Sequence, residues 1–422
     1  MTFLEYYNEI VRCNRCGFCQ EACPVFRATS HEAGVARGRL ALLRAIIEKR
    51  LVWSKEIEEP LFACLLCGAC TERCFPAVDT AKLLIVARGE YLDQVDRKRS
   101  HQLLFDHLLP FPKRLRLAAK MVAFGKQSGF ANVASALGLL RIFGHDFPRS
   151  QEIIDHFPGT AFREKVQPGI LRERNETLRI GYFVGCGIDI MVPDAAEASA
   201  SLLRESGETV QVLNNCCCGL PAYTYGDRRA AKSLAKKNLE ILAAEDFDLI
   251  VTDCSSCASF LKRYPELFPE NDIWRDKAET VASRVRDLVE MNLRRDFSPG
   301  RRDENIILTY HDPCHASRGQ GLVNEPRELL KALPGVEYRE LPEADWCCGG
   351  AGTYALSHYN LSMKVLDRKM DNVEKTGANL LVTSCPACII QLDYGIRRRG
   401  LPVRVRHISE VLATSRAAAI RV

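Results

Sequence analysis

The chain has 422 residues, 47% of them apolar, with a net charge of +5; that length excludes one simple core and predicts about two to four domains. The mild charge gives no indication of nucleic acid, and no apolar run approaches the roughly 18 residues that span a bilayer. Nineteen cysteines are a clear excess. The opening Met-Thr-Phe-Leu-Glu-Tyr-Tyr-Asn-Glu has no basic segment followed by an apolar core, so a cytosolic, reducing compartment is expected and the thiols read as metal ligands rather than disulfides.

The first element is the run Cys13-Asn-Arg-Cys16-Gly-Phe-Cys19-Gln-Glu-Ala-Cys23-Pro24. Its spacing, closed by a proline, matches the run that wraps a cubane 4Fe-4S cluster and lends its fourth cysteine to a second one. A second copy follows, Cys64-Leu-Leu-Cys67-Gly-Ala-Cys70-Thr-Glu-Arg-Cys74. With the exchange, Cys13, Cys16, Cys19 and Cys74 hold one cluster, and Cys64, Cys67, Cys70 and Cys23 hold the other. A pair of zinc ribbons would instead need ligands in two-plus-two sets. Between the runs, Val35, Leu40, Leu43, Ile46, Ile47 and Leu51 recur at helical spacing, and Ala81 to Gln94 reads as a further helix. The module therefore resembles the all-helical dicluster ferredoxins rather than the small bacterial ones joined by strands.

From Arg97 to Lys126, eight Lys or Arg stand against one acid, Asp106, interleaved with Leu103, Leu104, Phe105, Leu108, Leu109, Leu115, Leu117, Met121, Val122 and Phe124. Such a basic amphipathic stretch suits an anionic membrane surface or a partner groove, or it packs its apolar face on its own domains. Pro110 and Pro112 break it into at least two helices. Residues 96–176 are expected to form a helical linker ending in a polar stretch, Arg172 to Thr177.

At Leu178 the period changes. Leu178 to Val184 reads as a buried strand ending in Gly185-Cys186-Gly187, and Pro193 to Ser206 as the helix after it. Strand Thr209 to Leu213 runs into Cys216-Cys217-Cys218-Gly219; helix Asp227 to Ala244 and strand Phe247 to Thr252 lead to Cys254 and Cys257. The same grammar returns with strand Ile306 to Tyr310 before Cys314, strand Val336 to Leu341 before Cys347-Cys348-Gly349, and strand Asn379 to Thr383 before Cys385 and Cys388. Corresponding cysteines are offset by 128 (186 to 314), 130 (217 to 347, 218 to 348) and 131 positions (254 to 385, 257 to 388), so the unit is duplicated. Strands alternating with helices predict parallel sheets, with the cysteines in loops at the carboxyl ends of strands, where such sheets bind ligands.

Each repeat offers five thiols: Cys186, Cys217, Cys218, Cys254 and Cys257, then Cys314, Cys347, Cys348, Cys385 and Cys388. The glycine after each adjacent pair permits the sharp turn that brings both to one site. The last pair opens a helix whose positive end favours thiolate. Soft metals suit such sets: an iron-sulfur cluster, cubane with four thiolates or non-cubane with five, or structural zinc. Cys216 is left over, and His311 and His315 flank Cys314 either as hydrogen-bonding neighbours or as ligands. No glycine-rich phosphate loop follows any strand, so a bound nucleotide is not expected.

A helical dicluster module followed by two Cys-Cys-Gly domains resembles a group that includes heterodisulfide reductases, the cluster-bearing subunit of anaerobic glycerol-3-phosphate dehydrogenase, and the iron-sulfur subunits of glycolate oxidase and lactate dehydrogenase. Within it, Cys347-Cys348-Gly-Gly-Ala-Gly-Thr353-Tyr-Ala-Leu-Ser-His358 with Lys369-Met370-Asp371-Asn372 is most similar to the glycolate oxidase type. The resemblance implies an α+β multidomain chain: a helical dicluster domain over 1–95, a basic helical linker over 96–176, and α/β cysteine-rich domains over 177–297 and 298–422. It also implies an oxidoreductase subunit in the cytoplasm, or peripheral on the inner face of the membrane. That subunit takes electrons from an FAD-containing dehydrogenase subunit oxidising a 2-hydroxy acid and passes them to a quinone or other acceptor, using two 4Fe-4S clusters and one or two further clusters or zinc. Two departures stand out: Phe75 precedes Pro76 after the second run, and the second repeat keeps all five cysteines, which some glycolate-type relatives lose. The complete sets bring it closer to heterodisulfide reductase, where such a domain is catalytic and reduces a disulfide.

Overall fold

The computed structural model describes residues 3–95, 97–129, 146–154, 157–172, 178–205, 208–293, 306–352 and 354–417. The polar stretch up to Thr177, the junction at 297 and 298, Ser206 and Thr353 lie outside the described residues.

Among the described residues no strand precedes Gly169, and the N-terminal part is all helical. Helix Ala36–Ile47 places Leu40, Leu43 and Ile46 on one stripe, and they pack with Phe3, Tyr6, Ile10, Leu61, Leu83, Leu84 and Tyr91. Full burial of leucines such as Leu43, Leu83 and Leu84 stabilises this small core by about 1.5–3 kcal/mol each. Helix Thr80–Val95 is buried almost all round because it serves two cores. Leu83, Leu84 and Ala87 face the helical module, while Ile85 joins the core of the first repeat and Gly89 meets the Gly226 backbone. A Cβ on Gly226, whose φ is +98°, would lie 2.6 Å from Arg88 Cβ, so glycine is what lets the two modules close.

The linker runs through a helical segment Leu103–Leu108, breaks at Pro110 and resumes as helix Pro112–Gln127. Phe105 and Leu109 enter the core of the first repeat, whereas Leu117, Met121, Val122 and Phe124 stay exposed.

Two sheets follow. The first, in the order β1-β3-β2-β4-β5, comprises β1 (Gly169–Arg172), β2 (Arg179–Tyr182), β3 (Thr209–Val212), β4 (Leu249–Thr252) and β5 (Val285–Asp287). The second, in the order β7-β6-β8-β9, comprises β6 (Ile306–Tyr310), β7 (Val336–Tyr338), β8 (Leu380–Thr383) and β9 (Arg404–His407). All pairings are parallel except that of β1 with β3. The chain is thus a helical dicluster part followed by two α/β parallel-sheet repeats. The central strands are apolar runs because helices cover both faces, as in β8, buried at every position.

Two features differ from the sequence expectation. The end of the stretch expected to be helical linker forms β1, which satisfies the open edge of β3; its two apolar residues between Gly169 and Arg172 form too short an apolar run to read as a strand. Strands β5 and β9 also had no visible signal, yet each extends its sheet and leads into a helix that crosses to the other repeat. Helix Leu288–Leu293 packs on Glu325–Lys331, and helix Ile408–Ala417 packs on Pro193–Glu205, with Ser409 Oγ donating to Ala195 O at 2.8 Å. The repeats are clasped reciprocally rather than strung in line.

Candidate metal centres

Both N-terminal runs fold by the same turn. Arg15 and Gly17 have φ of 55° and 92°, and Leu66 and Gly68, at matching places, have 52° and 76°. Two left-handed residues curl each run before a short helix, Phe18–Ala22 or Ala69–Glu72, and these helices pack together. Cys23 then caps helix Pro24–Thr29, its Sγ accepting from Phe26 N–H at 3.5 Å, and is carried to the other run. Cys23, Cys64, Cys67 and Cys70 line one hollow together with Pro24, Arg39, Leu65 and Gly68. Cys13 and Cys16 neighbour Cys19. Cys74 lies against the same helical core as Cys13, and Arg12 donates to Pro76 O at 2.6 Å, tying the start of one run to the end of the other.

Burial pushes the Cys23 thiol up to about 11 despite Arg39 nearby, and burial with the thiols of Cys64, Cys67 and Cys23 raises Cys70. Crowded, desolvated thiols resist ionising together unless a cation joins them. Arg39 supplies part of that charge. It is 2% exposed and donates through Nε to Pro60 O at 2.6 Å, but its Nη2 has no partner.

In the first repeat Cys186 follows β2, Cys217 and Cys218 follow β3, and Cys254 follows β4 as the N-cap of helix Ser255–Lys262. Cys186 Sγ is 3.5 Å from Cys217 Sγ, and Cys218 lies against both Cys217 and Cys257. Those two neighbours hold Cys218 down at about 5. Gly219, at φ +96°, makes the turn after the pair. The loop is held from behind: Asn238 donates to Cys217 O at 2.9 Å and Tyr264 OH to Cys218 O at 2.6 Å. Cys216 points elsewhere, toward Asn238 and Leu234 O, and burial pushes it up to about 12.

The second repeat shares part of this geometry. Cys348 Sγ is 3.5 Å from Cys388 Sγ, Cys347 is against Cys348, and Cys385 caps helix Pro386–Arg399. Cys314 is desolvated beside Cys67, Cys348 and Cys385, which raises it. Gly349 turns at φ +84°, where a Cβ would meet Ser362 O at 2.7 Å. His315 contacts Ser256 Oγ through Nδ1 at 3.3 Å. His311 shares a space with Cys348 and Cys388, their ligand atoms all within 4.8 Å of one another.

The tertiary structure also joins the sets to one another, which spacing did not reveal. Cys254 neighbours Cys385, beside a contact of Ser255 Oγ with Ser384 Oγ at 2.7 Å. Cys67 neighbours Cys347, which with the Ala69 amide and Arg318 holds Cys67 down at about 6. Arg318 donates to Glu72 at 2.9 Å and to Asp345 O at 3.0 Å, clamping helical module and second repeat across this point. Arg39, Arg318 and the serine pair carry no motif, so local sequence could not single them out. All nineteen cysteines are free thiols. Soft donors in groups of four and five, half-buried for the most part in the helical module and mostly buried in the repeats, with an unpaired guanidinium nitrogen at one site and an unpaired imidazole at another, fit iron-sulfur groups.

Comparison with known proteins accords with this arrangement. Residues 9–77 match the 4Fe-4S dicluster domain family, 180–262 and 308–393 the cysteine-rich domain family, and 96–148 the linker region of the glycolate oxidase iron-sulfur subunit. The chain is 30% identical to the probable glycolate oxidase iron-sulfur subunit of Bacillus subtilis, covering 96% of this chain and 94% of that protein. It is 27% identical to a subunit of the fumarate reductase (CoM/CoB) of Methanothermobacter marburgensis, over 95% of this chain and 71% of that one. Lactate utilization protein A of Geobacillus thermodenitrificans is 33% identical over 56% of this chain and 98% of its own.

Proposed function

The chain belongs to the glycolate oxidase iron-sulfur subunit family, and from that premise we propose that it is the electron-transfer subunit of an FAD-linked dehydrogenase of a 2-hydroxy acid such as glycolate or lactate. The observation that carries this reading is the succession of neighbouring thiols from Cys67 through Cys347, Cys348, Cys388, Cys385, Cys254, Cys257, Cys218 and Cys217 to Cys186, with Cys348 Sγ and Cys388 Sγ, and Cys217 Sγ and Cys186 Sγ, each 3.5 Å apart. In this reading Cys13, Cys16, Cys19 and Cys74 hold one 4Fe-4S cluster and Cys23, Cys64, Cys67 and Cys70 the other. The five thiols of each repeat hold a further cluster or zinc, and the chain divides into domains over 1–95, 96–176, 177–297 and 298–422.

Such clusters, when bound, supply one-electron exchange in steps short enough to link a donor to an acceptor. The chain's own residues bury most of the thiols of the repeats, set them beside one another and place positive charge at Arg39 and Arg318 near those of the helical module. A 2-hydroxy acid loses a hydride and a proton together, which a flavin accomplishes and one-electron carriers do not. No nucleotide motif accompanies any strand, so the flavin belongs to a partner subunit, and a quinone or other acceptor lies beyond this chain. Among the described residues no helix is long and apolar enough to cross a membrane. A cytoplasmic place, peripheral on the membrane's inner face, agrees with exposed Leu117, Met121, Val122 and Phe124 on the basic helix Pro112–Gln127.

The anaerobically purified chain, alone, is expected not to reduce an artificial dye with glycolate or lactate, and to do so once an FAD-bearing partner is added. Substrate-dependent dye reduction by the flavin-free chain would sink the proposal. A second reading, reduction of a disulfide or quinone at the repeats themselves, is favoured by the complete thiol sets in both halves and by the likeness to the fumarate reductase (CoM/CoB) protein. Such reduction by the chain alone, with no flavoprotein binding to it, would establish it instead.

A further inference from the structure

The two repeats have nearly the same thiols but differ at one buried position beside them. Phe183 and His311 each stand three residues before the first cysteine of their repeat. Both make the same backbone bond, Phe183 N–H to Val251 O at 2.9 Å and His311 N–H to Val382 O at 2.9 Å. They are therefore equivalent places in the duplicated fold. In the first repeat the place is filled by an aromatic ring buried in the core. In the second it is an imidazole, 1% exposed, whose Nδ1 and Nε2 make no hydrogen bond of ordinary geometry and whose ring lies against the Cys348 thiol. Leaving a buried polar group unpaired costs about 1–3 kcal/mol. Its neighbour Asp312 is engaged with Arg327, through two bonds of 2.9 Å, and offers the ring nothing. What the ring does reach is the space bounded by Cys348 and Cys388, with all three ligand atoms within 4.8 Å of one another.

We propose that His311 turns a ring nitrogen onto the metal group held by the second cysteine-rich site, giving that site mixed sulfur and nitrogen surroundings where the first, with Phe183, has sulfur alone. This rests on the reading of the repeats as metal sites. As a ligand the neutral imidazole brings less negative charge than a thiolate, and as an N–H donor it hydrogen-bonds a sulfur; either contact favours the reduced state of an iron-sulfur group. The second site, which touches the helical module through Cys347 and Cys67, is then more readily reduced than the first.

The test is pulsed EPR on the anaerobically purified protein, grown with and without 15N-labelled histidine. One signal is expected to carry a histidine nitrogen coupling that the label alters, strong for a ligand and weak for an N–H donor. His311→Phe, which copies the first repeat, should abolish it and move that signal's potential downward while metal content holds. His311→Gln serves as a second variant, and the wild-type measurement needs no variant to fold. Should the metal be zinc, its X-ray absorption reads the same nitrogen and sulfur shell. Metal present without histidine nitrogen, or a coupling unchanged in His311→Phe, overturns this inference alone; a metal-free second site overturns the underlying reading as well.

Discussion

Arg39 offers the sharpest test of how the helical module sets the properties of its second thiol group. It is a 2% exposed cation lining the hollow with Cys23, Cys64, Cys67 and Cys70, and Arg39→Gln removes its charge while keeping an amide donor for Pro60 O. A unit charge about 7 Å from the centre of the site, at an effective dielectric of about 20, interacts by about 2.4 kcal/mol. For a one-electron couple, about 1.4 kcal/mol corresponds to about 59 mV, so the full effect is about 100 mV. The hollow opens to solvent on one side, which lowers the expected shift to about 50–100 mV. The assay is a redox titration followed by EPR, with iron content measured alongside. One cluster should become harder to reduce by that amount in Arg39→Gln, and Arg39→Lys should recover most of the difference. A shift below about 20 mV, or an upward one, at unchanged iron content would refute the charge argument, since no other mechanism is invoked for Arg39.

Three further outcomes are expected. Cys23→Ser should damage the cluster sharing the hollow of Cys64, Cys67 and Cys70, as read by EPR; loss of the one at Cys13, Cys16 and Cys19 instead would contradict the exchange. Protein purified without oxygen should carry about 12–16 iron atoms, at about four per site; about eight irons with two zincs by metal analysis would remove clusters from the repeats. Gly226→Ala should lower stability in chemical unfolding by about 2–5 kcal/mol, combining left-handed strain with the clash on Arg88, whereas Gly321→Ala, also left-handed but with nothing within 4 Å of its Cβ among the described residues, should cost about 1–2 kcal/mol. Equal effects at the two glycines would mean that the contact between helix Thr80–Val95 and the first repeat is not tightly packed.

What local spacing could carry was legible in the chain. Three cysteines two apart with a glycine after the second specify a tight turn, and the turn needs no distant partner, so both N-terminal runs were readable residue by residue. Matched offsets exposed the duplication, and apolar runs ending in cysteine placed those thiols at the carboxyl ends of parallel strands. Strands β1, β5 and β9 escaped because each is an edge strand of three or four residues that include charged ones, with no cysteine following it to mark its end. Arg39 escaped altogether, and His311 stood out only as a flank of Cys314, because the meaning of both is burial beside thiols supplied by other segments. The sequence by itself picked out the cysteines of each short run, through backbone turns that span a few positions. Only the tertiary structure decided that the groups adjoin in the order from Cys67 to Cys347 and from Cys385 to Cys254, because those contacts arise from the clasped packing of modules, and no local pattern encodes a distance between cores.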